Sequence, residues 1–193
     1  PTLLGLLVLA LGVAALFLNG AAHKQPVPMV VAALLGFAVM FLMAGLYKLE
    51  PNQSAVLSLF GKYVGTVKDN GLRWNNPFFS KRKVSLRIRN FESSRLKVNE
   101  LDGSPIEIAA VIVWQVVDSA EAVFNVDDYE SFVHIQSEAA LRAMASSYPY
   151  DQHEEGQIAL RSHPQEISQH LQEQIAERLG KAGVDVIEAR ISH

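Results

Sequence analysis

The chain has 193 residues, of which 49% are hydrophobic and 19% are charged, and its formal net charge is −3. Cysteine is absent, which excludes disulfides, thiolate nucleophiles and cysteine-based zinc sites. These averages are ordinary for a globular protein, but the charges are unevenly distributed. Residues 1–47 contain one formally charged side chain, Lys24, whereas all the others follow Tyr47. The sequence therefore predicts a lipid-soluble part, residues 1–47, ahead of a water-soluble part.

Two apolar segments, residues 2–18 and 29–47, make up the lipid-soluble part. A helix over the first would be roughly 25 Å long, near the lower limit for crossing a bilayer, and the second is longer. Glycine, proline and polar residues separate them and favour a break. The pattern predicts a transmembrane helical hairpin with both ends on one side. Two alternatives remain for the first segment: a signal peptide with a cleavage site near residues 20–22, or a re-entrant wedge.

Basic residues predict the orientation of this hairpin. The connecting segment has Lys24 alone, whereas Lys48, Lys62 and Lys68 follow the second apolar segment. Cytoplasmic flanks of membrane segments carry an excess of lysine and arginine. We therefore expect the water-soluble part to be cytoplasmic.

Alternating and apolar runs predict strands in the water-soluble part. Residues 54–60 are compatible with a strand that ends at Gly61, and residues 83–91 alternate between apolar and basic side chains, as in a half-buried strand with a basic outer face. Residues 106–117 are apolar on both faces in their middle, which is typical of a buried strand. Residues 184–191 predict a further strand.

Capping signals predict three helices between these last two strands. Asp118 with Glu121 opens a short helix, and Asp127 with Glu130 opens a longer one that ends by Pro149. Ser162 with Gln165, and Pro164 in the first turn, open the third. Its predicted inner stripe consists of Ile167, Leu171, Ile175 and Leu179. A strand, a helical block and a second strand suggest an α/β unit.

Four segments, taken in order, carry a family resemblance. Residues 50–63 resemble the opening of an SPFH domain after its membrane anchor, and residues 70–79 are similar to the Gly-Leu…Pro-Phe loop of that family. Residues 102–118 resemble the start of its second half, and residues 183–191 its closing strand. The chain therefore resembles the SPFH, or band 7, family of stomatins, prohibitins and flotillins, as a bacterial-type membrane-anchored member. Asn70 and Ala189 depart from the residues common in that family.

The resemblance implies an α+β fold with three parts. These are the membrane hairpin (residues 1–47), an α+β membrane-proximal half of the SPFH domain (48–100) and an α/β second half (101–193), commonly followed by a helical extension. It implies rings or cages that organise membrane microdomains, and regulation of membrane-bound proteases or channels, in the bacterial inner membrane. It does not imply catalysis.

Motifs for chemistry are missing from the sequence. His153-Glu154-Glu155 begins like a zinc-protease motif, but Gln157 stands where the second histidine is needed. Nucleophile-elbow, dinucleotide-binding and Walker patterns do not occur. The sequence thus predicts no catalytic residue, cofactor, metal or nucleic-acid partner.

Aromatic and basic residues beside a predicted turn are candidates for membrane contact. Aromatic side chains favour the bilayer interface, and clustered basic side chains favour anionic headgroups. The candidates are Trp74, Phe78, Phe79, Lys81, Arg82 and Lys83. The competing interpretation is that the aromatic residues pack in a core.

The charges of the two predicted halves are opposite. Residues 48–100 carry a net charge of +7 and residues 101–193 carry −11. One interpretation is ordinary solvated faces. The other is that a basic half faces anionic lipid, and that basic and acidic flanks help neighbouring copies to associate. The expected partners are the lipid bilayer, further copies in a large homo-oligomer, and a membrane protease or another membrane protein.

Overall fold

The computed structural model describes residues 2–23, 26–152 and 156–192. Two long apolar helices come first and a mixed domain of strands and helices follows, which confirms the predicted α+β class. The helices are α1 (Thr2–Ala22), α2 (Pro26–Ala44), α3 (Ser119–Phe124), α4 (Tyr129–Ala145), α5 (Pro164–Leu179) and a short 3-10 helix (Gly180–Ala182). The strands are β1 (Leu46–Leu49), β2 (Gln53–Leu59), β3 (Lys62–Val67), β4 (Gly71–Trp74), β5 (Ser80–Ser85), β6 (Arg89–Glu92), β7 (Leu96–Asn99), β8 (Pro105–Val116) and β9 (Val184–Ser192).

The two apolar helices differ from the predicted segments at their ends. The first helix continues to Ala22 rather than residue 18, and the second begins at Pro26 rather than residue 29. Proline is tolerated in the first helical turn because its missing N–H would have no partner there, so Pro26 and Pro28 open α2 instead of breaking it. The second helix ends at Ala44, and Tyr47 lies in β1.

Small residues form the contact between α1 and α2. Ala32 is almost fully buried, and a methyl group on Gly36 would lie 3.6 Å from a methyl carbon of Val13. Such residues allow helix backbones to approach closely. Most of the remaining surface is exposed, since 6% of the apolar stretch of α1 and 11% of that of α2 is buried. Both helices are long and apolar enough to cross a membrane, and neither is enclosed as a core helix would be.

The chain divides into two compact units, which are interleaved along the sequence. The first unit contains residues 1–51, 58–62 and 69–80, and the second contains residues 52–57, 63–68 and 81–193. In the first unit, β1 pairs antiparallel with β4, from Leu46 opposite Trp74 to Leu49 opposite Gly71. This pairing ties the segment after α2 to a strand that follows some twenty residues later.

A pair of serine hydroxyls fixes β2 within the second unit. Strand β2 is the middle strand of the sheet β3-β2-β5. The Oγ atoms of Ser54 and Ser119 are 2.5 Å apart, and Ser54 also lies 3.4 Å from the carbonyl oxygen of Val84. Both serines are buried, so these hydrogen bonds satisfy groups that would be costly to leave unpaired.

The prediction of one continuous strand over residues 83–91 is wrong. Strand β5 ends at Ser85, and β6 starts at Arg89 and pairs with β8 instead. Ile88 is 64% exposed, whereas the guanidinium of Arg89 lies 5.5 Å from the ring centre of the buried Trp114. Residues 83–91 therefore contribute to two different sheets, and the break between β5 and β6 changes which side chains face inward.

The four-stranded sheet of the second unit is antiparallel and is built around β8. Strands β6 and β7 pair with β8, and so does β9. The helical block between β8 and β9 is therefore not a parallel crossover. Its helices α4 and α5 share a core with the alternate residues of β8, such as Ile112 and Trp114. The predicted stripe on α5 is confirmed, since all four of its side chains are fully buried.

The three predicted helix starts have different outcomes. Asp118 caps α3 as expected and accepts hydrogen bonds from the backbone N–H groups of Ala120 and Glu121. The cap of α4 is Asp128 rather than Asp127, because Asp128 has the extended backbone that an N-cap requires. At α5, Pro164 lies in the first turn as predicted, but the cap position is occupied by His163 rather than Ser162.

A bulge interrupts the pairing of β9 with β8 at Ile187. Trp114 faces Val186 and Val113 faces Glu188, so Ile187 is an extra residue on β9. The side-chain amide of Gln172 on α5 donates to the carbonyl oxygens of Val186 and Ile187, each at 3.1 Å. This side chain thus satisfies backbone groups at a point where the regular ladder is disrupted.

Candidate membrane-contact surface

Trp74 lies at the end of β4 and is bonded to the last turn of α2. Its Nε1–H donates to the carbonyl oxygen of Leu42 at 2.8 Å, and its ring is 50% exposed. The last carbonyls of a helix have no partner within the helix, so the indole N–H satisfies one of them. The structure therefore holds an exposed aromatic ring at the carboxyl end of an apolar helix.

Gly45 allows this close approach of Trp74 to the end of α2. A Cβ atom at Gly45 would come within 2.5 Å of Trp74 Nε1 and closer still to the carbonyl oxygen of Asn75. The backbone N–H of Asn75 donates to the carbonyl oxygen of Gly45 at 2.9 Å. Any larger residue would push the indole and its loop away from the helix.

The loop after β4 holds Phe78 by local hydrogen bonds. The side chain of Asn76 accepts from the backbone N–H of Phe78 at 3.1 Å, and the carbonyl oxygen of Asn76 accepts from Phe79 N–H at 3.0 Å. The ring of Phe78 lies 5.9 Å from that of Phe41 on α2 and is 64% exposed. Phe79 is half-buried. Phe78 thus contacts the apolar helix without being covered.

The three basic candidates belong to the second compact unit, on β5. Arg82 and Lys83 are exposed, Lys81 is partly buried, and Val84 next to them is buried. Strand β5 is an outer strand of the sheet β3-β2-β5, where lysine also discourages pairing with other chains. The aromatic candidates therefore group with α2 in one unit, and the basic candidates form a separate exposed strand face in the other.

Phe60 was not among the predicted contact residues, because the apolar run over residues 54–60 predicts that it ends a strand. Phe60 is instead the first residue of the turn between β2 and β3, with a φ of 47°, and it is 91% exposed. The signal that could have identified it is the dipeptide Phe60-Gly61 between two strand-like runs, at the place where a two-residue hairpin turn fits.

Within the described residues, the titrating groups with shifted pKa values lie at the start of α4 and at Arg89 on β6. Burial raises the pKa of Tyr129, whose ring packs edge-on against that of Trp114 with 6.3 Å between ring centres. The neighbouring Glu130 forms an ion pair with Arg89. The ion pair joins β6 to α4 and so contributes to the stability of the second unit.

Clusters of metal ligands do not occur among the residues that the structure describes. The sequence His153-Glu154-Glu155 lies outside them. An open groove of about 830 Å³ runs along α5 and β9, and amide and hydroxyl side chains such as Gln165, Ser168 and Gln169 contribute to its lining. The carboxylates of Glu173, Asp185 and Glu188 and the guanidinium of Arg190 also line it, so the groove presents charged as well as neutral polar groups.

The comparison with known proteins gives one family. The family model described as "SPFH domain / Band 7 family" matches residues 47–193, which is everything from the second residue of β1 onward. No curated protein matches the chain.

Proposed function

Because this chain belongs to the SPFH domain / Band 7 family, we propose that it is a membrane-anchored scaffold subunit that assembles into rings or cages and organises membrane microdomains and their proteins. The observation that carries this proposal is the direct connection between two exposed apolar helices and the family domain. Helix α2 ends at Ala44, and the family match begins at residue 47.

Anchoring is supported by the length and the surface of the two helices. Helices of 21 and 19 residues would be about 31 Å and about 28 Å long, which fits a hydrocarbon core of about 30 Å. Side chains exposed all round such helices would be poorly tolerated in water and are suited to lipid. We propose that the hairpin places the family domain on the cytoplasmic side of a bacterial inner membrane, as Lys48, Lys62 and Lys68 favour.

Contact of the domain with lipid is supported by Trp74 and Phe78. Both rings are exposed beside the last turn of α2, which in a hairpin that spans the bilayer lies at the interface. Aromatic rings are enriched at that depth. In this proposal Phe79 supports the loop, while Lys81, Arg82 and Lys83 favour anionic headgroups.

Self-association follows from confinement to a membrane plane. A shared plane and orientation raise the effective concentration of neighbouring copies. Head-to-tail contacts with a fixed rotation close into a ring. The net charges of +7 in residues 48–100 and −11 in residues 101–193 supply complementarity between copies.

A second candidate is a regulatory subunit of a membrane-bound protease or channel. It uses the same anchor but requires a different protein as partner. The open groove along α5 and β9 favours this second candidate, because its polar surface is available to another chain.

Size measurement of the full chain tests the proposal. Protein extracted in mild detergent should run as a large, discrete homo-oligomer whose mass, measured by light scattering, is a multiple of 21.2 kDa after correction for detergent. If charge complementarity contributes, raising the salt concentration should shift material towards smaller species. A monomer or dimer at every protein and salt concentration would overturn the scaffold, and co-purification of a protease or channel would favour the second candidate.

A further inference from the structure

The turn between β2 and β3 has a backbone that its sequence does not favour. Strand β2 ends at Leu59 and β3 begins at Lys62, so Phe60 and Gly61 form a two-residue hairpin turn. Their φ angles are 47° and 83°. Positive φ at both central residues is the requirement of a type I′ turn, for which Asn-Gly is a preferred sequence. Gly61 meets this requirement without strain, whereas Phe60 does not.

Phe60 gains no packing in return for its backbone strain. A bulky side chain in the left-handed region is an outlier, and such strain persists where another constraint maintains it. Here the side chain is 91% exposed, the highest exposure among the large hydrophobic residues that the structure describes. The hairpin itself would therefore be more stable with another residue, and a position of this kind is expected where function competes with stability.

The surroundings of Phe60 suit lipid. Residues 58–62 belong to the same compact unit as α1, α2, Trp74 and the loop of Phe78. Lys62, two residues along, is exposed and long enough to keep its ammonium group in the headgroup layer while its stem lies along apolar surface. An exposed phenylalanine beside a lysine, in the unit that contains the apolar helices, has the composition of an interfacial anchor.

We propose that Phe60 inserts into the bilayer interface as an anchor additional to the helical hairpin, and that the strained turn exists to present it. The inference rests on the proposed membrane anchoring and adds a contact made by the strand hairpin itself.

Single cysteines in the full chain test this directly, because the sequence contains none. Phe60→Cys, Phe37→Cys and Ile135→Cys are labelled with the apolar fluorophore NBD and reconstituted into vesicles of neutral and anionic phospholipid. Phe37, in the middle of α2, reports anchoring. Ile135 is the matched control, since it is an aliphatic residue that is 63% exposed in the second unit.

The expected pattern separates the two proposals. NBD at position 37 should be quenched by nitroxides deep in the acyl chains, and NBD at position 60 by nitroxides near the headgroups, several-fold more than at position 135. Absent quenching at position 37 would defeat the anchoring. Quenching at 37 but equal signals at 60 and 135 would overturn the role of Phe60 alone. Shielding of position 60 from aqueous iodide without quenching by lipid nitroxides would also overturn it, because a protein would then cover the turn.

A second variant tests the strain without a probe at the turn. Phe60→Asn creates the preferred turn sequence and should raise the thermal midpoint of the full chain in detergent by several degrees. In vesicles the same change should weaken headgroup quenching of NBD placed at Lys62→Cys. A lowered midpoint would show that Phe60 packs within the fold and would overturn the proposal.

Discussion

The two tryptophans of this chain lie in different compact units and are used in opposite ways. Trp74, in the first unit, leaves half of its ring exposed and donates its N–H to the end of α2. Trp114, in the second, is 2% exposed, and its Nε1 has no hydrogen-bond partner among the residues that the structure describes. Trp74 thus contributes a hydrogen bond at an exposed position, whereas Trp114 contributes apolar packing in a core.

The same difference extends to the residues around each tryptophan. The first unit exposes apolar side chains on α1, α2 and two turns, whereas the second buries a large apolar cluster between helices and a sheet and exposes only scattered apolar side chains such as Ile88 and Ile135. In water the first arrangement is costly and the second is favourable. Large exposed apolar patches mark protein or membrane contact sites, whereas buried ones form a core, so hydrophobic composition alone does not distinguish a core from a contact surface.

Replacing each tryptophan with alanine should give the largest changes in the free energy of unfolding, and the two changes should be unequal. Trp114→Ala removes a fully buried ring that packs against Arg89 and Tyr129, and should lower the free energy of unfolding by about 3–5 kcal/mol. Trp74→Ala removes a half-exposed ring and one hydrogen bond, and should cost about 1–2 kcal/mol. Denaturant titration in detergent, followed by far-UV circular dichroism, measures both. Equal losses would contradict the comparison.

An alanine at Gly45 should disturb the first unit while sparing the second. The added methyl group has no room beside Trp74 and the Asn75 carbonyl, and such overpacking costs about 1–3 kcal/mol. Hydrogen exchange should show faster exchange in β1 and β4, with α5 unchanged. The matched control is Gly36→Ala, because its new methyl group would meet Val13 at an ordinary van der Waals distance of 3.6 Å. Faster exchange throughout the second unit would contradict the independence of this contact.

The smallest expected effect is a pH dependence at the start of α4. The hydroxyl of Ser131, donating to Asp128 Oδ2 at 2.6 Å, lowers the pKa of Asp128. A carboxylate whose folded pKa lies below its unfolded value contributes stability above the unfolded value, and this contribution is lost as the pH falls through the folded pKa. Acidification below about pH 4 should therefore weaken the first turn of α4.

Asp128→Asn tests this effect because asparagine caps a helix as well as aspartate does but does not titrate. The difference in stability between neutral and acidic pH should be smaller in this variant than in the parent chain. Ser131→Ala removes the hydroxyl donor and should reduce the difference in part. Unchanged acid sensitivity in both variants would show that this hydrogen bond does not contribute.

The sequence pattern predicted the helices, caps and strands whose structure depends on residues close together in the chain. The stripe on α5, the cap at Asp118 and the long strand β8 depend on spacing within one element, so the sequence sufficed for them. The capping-box spacing indicated Asp127, because Glu130 lies three residues later, whereas the residue that caps α4 is Asp128, whose side chain accepts from the backbone N–H of Glu130. The split of residues 83–91 depends on two different partner strands, which a single alternating run does not reveal.

The candidate surface was predictable in composition but not in contacts. Aromatic residues beside Pro77 and a basic triplet were visible in the sequence. That Trp74 bonds to Leu42 was not, because the two residues meet through the pairing of β1 with β4 and the absence of a side chain at Gly45. The exposure of Phe60 was not predicted, because an apolar strand pattern does not show at which residue the strand ends and the turn with positive φ starts.

The bulge at Ile187 makes β9 tolerant to one particular change of length. In a regular strand, loss of one residue moves all following side chains to the opposite face. Here Val184 and Val186 before the bulge, and Ala189 and Ile191 after it, face the same side as the core residues of β8. Deleting Ile187 would give these four residues an unbroken two-residue period. Strand β9 could therefore lose Ile187, together with the contacts to Gln172, and still place every second side chain on the core-facing side along its whole length.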